Sequence, residues 1–272
     1  MVDWLKRVLG NDWDVTPAGG LTGDAYLAAK NEERLFLKRN SSPFLAVLSA
    51  EEIVPKLIWT KRMENGDVIT AQEWVEGREL KQSEMREQKV AELIRKIHDS
   101  QELLYMLMRL GKTPLSAHTQ FEFVKKRLDS SNLINGYHEV HTALLYLEEL
   151  LQVTEEQTPV VCHGDLNHNN LLMAKEDNLY LVDWDNARIA DPVVDFGMVL
   201  KWYIPKEEWN DWLKKYGLIN ETNLYERMYW YLMLDTLQYV SWHSERNEPF
   251  KVTERLRDLQ ELNVHVKSFI LG

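Results

Sequence analysis

The chain has 272 residues, of which 44% are hydrophobic and 28% charged, with a formal net charge of -11. That balance reads as a soluble globular protein of one large domain or two lobes, and its acidic sign argues against nonspecific binding to nucleic acid or an anionic membrane. No apolar run approaches the roughly 20 residues of a spanning helix, no signal-peptide core follows Met1, and the single cysteine, Cys162, excludes an internal disulfide framework and suits the cytoplasm.

Residues 1 to about 77 read as strands with one helical interruption. Trp13-Asp14-Val15-Thr16 alternates, and the stretch from Pro17 to Asp24, with Gly19, Gly20 and Gly23, breaks the pattern. Three glycines between strands can bring backbone amides close to a phosphate, but they can equally make a plain hairpin turn. Tyr26-Leu27-Ala28-Ala29 and Arg34-Leu35-Phe36-Leu37-Lys38 follow, then a helical segment from Pro43 to Glu52. Leu57-Ile58-Trp59-Thr60 and the run from Val68 to Val75 flank Asn65-Gly66, a hairpin signal. Five strands and one helix thus precede a glycine-containing linker at Gly77.

From Ser83 onward the period becomes helical. Val90, Leu93, Ile94 and Ile97 share one face, as do Leu103, Leu104, Leu107 and Met108. Phe121-Val124-Leu128 and the Ala143 to Leu151 pattern give two further helices. His98, at a helix end, reads as a structural hydrogen-bonding group.

The densest chemistry lies at residues 160–173. Val160-Val161-Cys162 runs into His163-Gly164-Asp165-Leu166-Asn167-His168-Asn169-Asn170, and Leu171-Leu172-Met173 leaves it. Thirteen positions after Asn170, the strand Leu179-Tyr180-Leu181-Val182 delivers Asp183-Trp184-Asp185. Phosphoryl transfer needs a carboxylate that orients a hydroxyl and takes its proton, and oxygen ligands for Mg2+. Asp165 suits the first task, while Asn170 and Asp183 suit the second, because Mg2+ takes one or two carboxylates plus water and phosphate oxygens. A polar loop that merely satisfies backbone groups is the alternative.

This pattern resembles the aminoglycoside phosphotransferase and choline kinase family. The resemblance covers nearly the whole chain. It implies an α+β, protein-kinase-like fold, with a small antiparallel-sheet N-lobe at 1–77 and a mainly helical C-lobe at 78–272. ATP and Mg2+ would be the cofactors. Catalysis would rest on Asp165 and His163, and the metal on Asn170 and Asp183. Lys38 would pair with the phosphates, held by Glu51 or its neighbour Glu52, with Glu51 favoured by position; a solvated strand-end lysine is the alternative. Gly19, Gly20 and Gly23 would lie over the phosphates, and Glu73 and Val75 would form the adenine hinge. Asp195 would brace the catalytic loop from below. The segments 37–45 and 53–60 look closest to a choline- or thiamine-kinase-like branch of Gram-positive bacteria that includes the cell-cycle regulators called CcrZ, which implies a division-protein partner, FtsZ.

Two absences point to a small-molecule acceptor. Asp183 and Asp195 are only twelve positions apart, with no room for a peptide-docking activation segment, and position 164 is glycine where regulated protein kinases carry arginine. Three more helices follow, at about 206–217, 222–243 and 250–270. Within the second, Tyr231, Leu232, Asp235, Tyr239 and Trp242 fall on one stripe. That stripe could hold an amine by cation–π contact and ion pairing, with Trp202 and Asp185 in the same cleft, or it could be core packing with Asp235 partnered by a donor. A metal-dependent hydrolase, suggested by His163, Asp165 and His168, falls short because a zinc motif of the order His-x-His-x-Asp-His needs a further histidine and position 161 is valine, so the ligand count is too low. A pseudokinase is disfavoured by the presence of Lys38, Asp165, Asn170 and Asp183 together.

Overall fold

The computed structural model describes residues 5, 8–18, 24–155, 157–175, 177–218 and 221–270. The three glycines expected over the phosphates, Gly19, Gly20 and Gly23, lie outside the described residues. Two compact units emerge. The first comprises residues 1–81, 101–106 and 168–185, and the second residues 82–100, 107–167 and 186–272.

The first unit is built on a five-stranded antiparallel sheet. Its strands are β1 (Asp14–Pro17), β2 (Ala25–Lys30), β3 (Glu33–Arg39), β4 (Leu57–Arg62) and β5 (Val68–Glu73), in the order β1-β2-β3-β5-β4. Alternation drives the packing. Leu35 and Leu37 of β3 enter a core with Val15, Tyr26, Ala28, Ile69 and Ala71, so Lys38 projects from the opposite face. Helix α1 (Phe44–Ala50) follows β3, burying Phe44 and Leu48. The Asn65-Gly66 turn closes β4 on β5 with Gly66 at φ +91, where glycine carries no steric penalty.

A second, three-stranded sheet completes this unit: β6 (Gly77–Glu79), β8 (Leu171–Ala174) and β9 (Leu179–Leu181), in the order β6-β8-β9. The glycine-containing linker expected at 77 is therefore a strand. Gly77 stands opposite Ala174, and a Cβ on Gly77 would fall 2.4 Å from the Met173 carbonyl oxygen, so only glycine permits this pairing. Residues 168–185, expected with the helical part, group with the N-terminal sheet.

The second unit is mainly helical. Beyond α2 (Gln88–Asp99) and α3 (Gln101–Arg109), whose first residues belong to the first unit, come α4 (Ala117–Ser130), the short α5 (Leu133–Gly136) and α6 (His138–Glu149). After the two-stranded sheet of β7 (Val160–Cys162) and β10 (Arg188–Ala190) follow α7 (Val193–Tyr203), α8 (Trp209–Tyr216), α9 (Leu224–Glu245) and α10 (Pro249–Ile270). Residues 228–234 of α9 are buried without interruption, which is the core-packing alternative for that half of the aromatic run. Asp191 starts α7 by accepting from the Val193 N–H at 3.0 Å, and its other oxygen accepts from the buried Arg227 Nε at 2.9 Å. Among the described residues, no helix is long and apolar enough to cross a membrane.

Candidate active site

In the first unit, strand pairing places the polar residues. Leu171 of β8 stands opposite Leu181 of β9, and the Val182 N–H donates to the Asn170 carbonyl at 2.9 Å. Asn170 and Asp183 therefore leave the same end of one hairpin. Asp183 sits at φ +64, a left-handed conformation that Asp tolerates better than most residues and that recurs at functional sites. The chain then turns through the short helix Trp184–Asn186, anchored by Trp184 Nε1 donating to the Leu181 carbonyl at 2.8 Å and by an edge contact with Phe44.

Lys38 meets this turn. Its Nζ lies 3.4 Å from Asp185 and 3.9 Å from Asp183. The resemblance points to Glu51 as its partner; the structure gives it two carboxylates from the 183–185 turn, and Glu51 is the C-cap residue of α1. Asp185, expected in the acceptor cleft, is thus a partner of Lys38 within the first unit. At the expected hinge, the Glu73 N–H donates to the Lys56 carbonyl at 2.8 Å and the Trp74 N–H to the Arg34 carbonyl at 3.3 Å; Val75 follows, half-buried.

In the second unit the loop after β7 is held from several sides. Asp195, buried on α7, accepts from the His163 N–H at 2.7 Å and from the Gly164 N–H at 2.9 Å. His98 Nε2 lies 3.2 Å from the same carboxylate, and Nδ1 lies 2.6 Å from the Tyr216 hydroxyl. A carboxylate only accepts, so Nε2 donates to it and Nδ1 is left to accept from Tyr216. Burial alone would raise the Asp195 carboxyl, but His98, the nearby His163 and the Gly164 N–H together hold it below its ordinary value. Burial also pushes the Tyr216 hydroxyl up, which keeps it a donor.

Asp165 itself is half-buried. Its N–H donates to His163 Nδ1 at 3.3 Å, and Asn167 Nδ2 donates to its Oδ1 at 3.2 Å. His163, grouped with Asp165 as catalytic by the resemblance, is fully buried. It holds the backbone on which Asp165 rides.

Beside the loop is a small cleft lined by Gly164, Arg188, Met198, Asp235, Gln120 and Gln238, among others. Tyr231 and Leu232 also line it, whereas Tyr239 and Trp242 are exposed farther along α9. Trp202, expected in this wall, is not among its lining residues. It lies one turn beyond Met198 on α7, 42% exposed, with Lys201 Nζ 5.5 Å from its ring centre. Burial raises the Asp235 carboxyl to about 6, with Arg188 opposing, Asp165 adding to the rise, and Arg255 opposing.

The sign of that shift gives a test. An acid whose folded value is raised favours the folded state while neutral and opposes it once ionised, so stability falls as pH rises from about 4 through 6. The difference in melting temperature between Asp235→Asn and wild type should shift in the variant's favour from pH 4.5 to pH 8. Thermal melts at both pH values check this; equal differences at the two would remove the burial argument.

Comparison with known proteins identifies the family and the fold. Residues 15–231 match the phosphotransferase enzyme family (APH). The choline kinase LicA from Streptococcus pneumoniae superposes with a TM-score of 0.70 at 16% identity, over 97% of each chain. Spectinomycin phosphotransferase APH(9)-Ia, in a complex with ADP and spectinomycin, gives a TM-score of 0.73 at 14% identity, over 97% of this chain and 98% of that one. A macrolide 2'-phosphotransferase type I gives 0.61 at 15% identity, over 94% of each. A small antiparallel sheet in the N-terminal part and a helical C-terminal part define a protein-kinase-like phosphotransferase fold. The chain belongs to the phosphotransferase enzyme family of the aminoglycoside phosphotransferases and choline kinases.

Proposed function

We propose that this protein transfers the γ-phosphoryl group of ATP to a hydroxyl of a small molecule. The observation that carries the small-molecule reading is the fate of the residues between Asp183 and Asp195. They are used up by the short helix Trp184–Asn186, the strand β10 and the Asp191 turn that leads into α7, which leaves no segment to dock a peptide.

Each polar group then has a task. Lys38 pairs with phosphate oxygens, for which Asp185 and Asp183 hold it in waiting. Asn170 and Asp183, both from one hairpin end, are a carboxamide and a carboxylate, the oxygen donor set that suits Mg2+. The metal would neutralise charge on the phosphates. Since the Glu73 N–H is already taken, the hinge amide for adenine is that of Val75. Asp165 orients the acceptor hydroxyl and takes its proton, with His163 and Asn167 fixing its direction.

The acceptor lies against the cleft of Asp235, as a choline- or ethanolamine-like amine or a sugar or ribose-containing molecule. A phosphorylation screen across these classes identifies it. An amine acceptor predicts that Asp235→Asn raises KM with kcat less affected, the pattern of lost ground-state binding. The free, buried Cys162 suits a cytoplasmic setting.

Calorimetry tests the nucleotide site directly. ATP should bind wild type more tightly with Mg2+ than without, and Asp183→Ala should erase the difference. An unchanged metal effect in that variant would move the metal site elsewhere in the chain.

A further inference from the structure

We propose that Arg188 is the positioning residue for Asp165, fixing the peptide that carries the base and so the direction in which its carboxylate meets an acceptor. This inference rests on the phosphotransfer reading above. Arg188 lies on β10 opposite Cys162, the last residue of β7 before the loop, so a rigid two-stranded ladder sets where its side chain starts. Its Nη2 donates to the Gly164 carbonyl at 2.8 Å. That carbonyl belongs to the Gly164–Asp165 peptide plane, whose N–H donates to His163 Nδ1 at 3.3 Å. Both polar groups of one peptide are therefore held, from opposite directions, by side chains of the same unit.

The preceding peptide is held as well, because the Gly164 N–H donates to Asp195 at 2.9 Å. With the planes on both sides of Gly164 pinned, its φ of +78 is fixed, and Asp165 is fixed with it. The guanidinium also fills the space beside the glycine. A Cβ at position 164 would fall 2.5 Å from Arg188 Nε and 2.7 Å from Nη2. A planar fork suits this place: it sits beside the glycine while one nitrogen reaches the carbonyl, which a lysine's point charge does less well. Arg188 further lines the cleft of Asp235, Gln120 and Gln238, so a molecule bound there touches the residue that aims the base.

The experiment compares Arg188→Met and Arg188→Lys with wild type. The probe is MgATP with water as acceptor: a water oxygen bonds to the γ-phosphorus, the bond to the bridging oxygen of ADP breaks, and Asp165 takes the proton. Arg188→Met should lower kcat by about 100-fold, the scale of a small misplacement of a reacting group, with KM for ATP within about twofold. Arg188→Lys should recover roughly a tenth of wild-type turnover, and millimolar guanidinium should partly restore the Met variant. Hydrogen exchange gives a readout independent of turnover. The Asp165 amide should exchange faster in Arg188→Met while residues 193–200 of α7 keep their protection.

Normal kcat in the Met variant, an unchanged Asp165 exchange rate, or a loss of ATP affinity as large as the loss of kcat would each overturn the assignment. Wild-type protein that turns over MgATP with neither water nor any acceptor of the screen would defeat the phosphotransfer reading and this inference together, whereas normal turnover in Arg188→Met defeats this inference alone.

Discussion

Asp165→Asn is expected to lower phosphotransfer by about 100- to 10,000-fold, the usual scale for loss of a general base. The carboxamide keeps the shape of the side chain and can still meet Asn167, so the loop should hold its form. ATP affinity should change little, since the groups proposed to face the nucleotide, Lys38, Asn170 and Asp183, all lie in the other compact unit. Steady-state rates with the acceptor found in the screen, beside calorimetric ATP binding, separate the two effects. Near-normal turnover would remove Asp165 from the chemistry and with it the functional reading of the whole loop.

The second large effect concerns stability. Asp195→Ala would leave the His163 N–H, the Gly164 N–H and the His98 Nε2–H without their acceptor in a fully buried place. Removing one member of such a buried charged network costs roughly 3–5 kcal/mol. Urea denaturation should show that loss, and a change below about 1 kcal/mol, the net worth of one ordinary hydrogen bond, would contradict the bracing role. The pH dependence follows from the depressed carboxyl. A group held below its unfolded value contributes stability that is complete above about pH 4 and is lost as pH falls through the folded value. Asp195→Asn, which cannot ionise, should therefore lose less stability on acidification than wild type. Parallel acid limbs would show that Asp195 titrates alike in folded and unfolded chains.

The sequence made the local features legible and hid the distant ones. The five strands of the first sheet, the Asn65-Gly66 hairpin and the amphipathic helix of Val90, Leu93, Ile94 and Ile97 were readable because alternation, turn residues and 3.6-residue spacing are short-range signals. So was the polar segment from His163 to Asn170 as a connection between two strands. Two of the three-residue strands were not. Gly77–Glu79 and Arg188–Ala190 are too short to alternate and exist because a partner far along the chain completes them. The His98–Tyr216 contact spans 118 positions and Arg227–Asp191 spans 36, distances at which single residue types carry no pattern. Trp202 and Tyr239 could not be sorted by periodicity, because a helix stripe says which residues share a face and not where that face stops lining a cleft.

The glycine at 164 has a consequence for how such a chain can come under control. Regulated protein kinases place an arginine at this position to read a phosphorylated loop. Here any side chain meets the Arg188 guanidinium and the Asn186 carbonyl at under 3 Å, on a backbone that L-residues rarely adopt. A single substitution cannot install the reader, because Arg188 would have to be lost first, and with it the hydrogen bond to the Gly164 carbonyl that we propose positions Asp165. Such a lineage is separated from phosphorylation control by a fitness valley, and regulation has to arise at surfaces away from this loop.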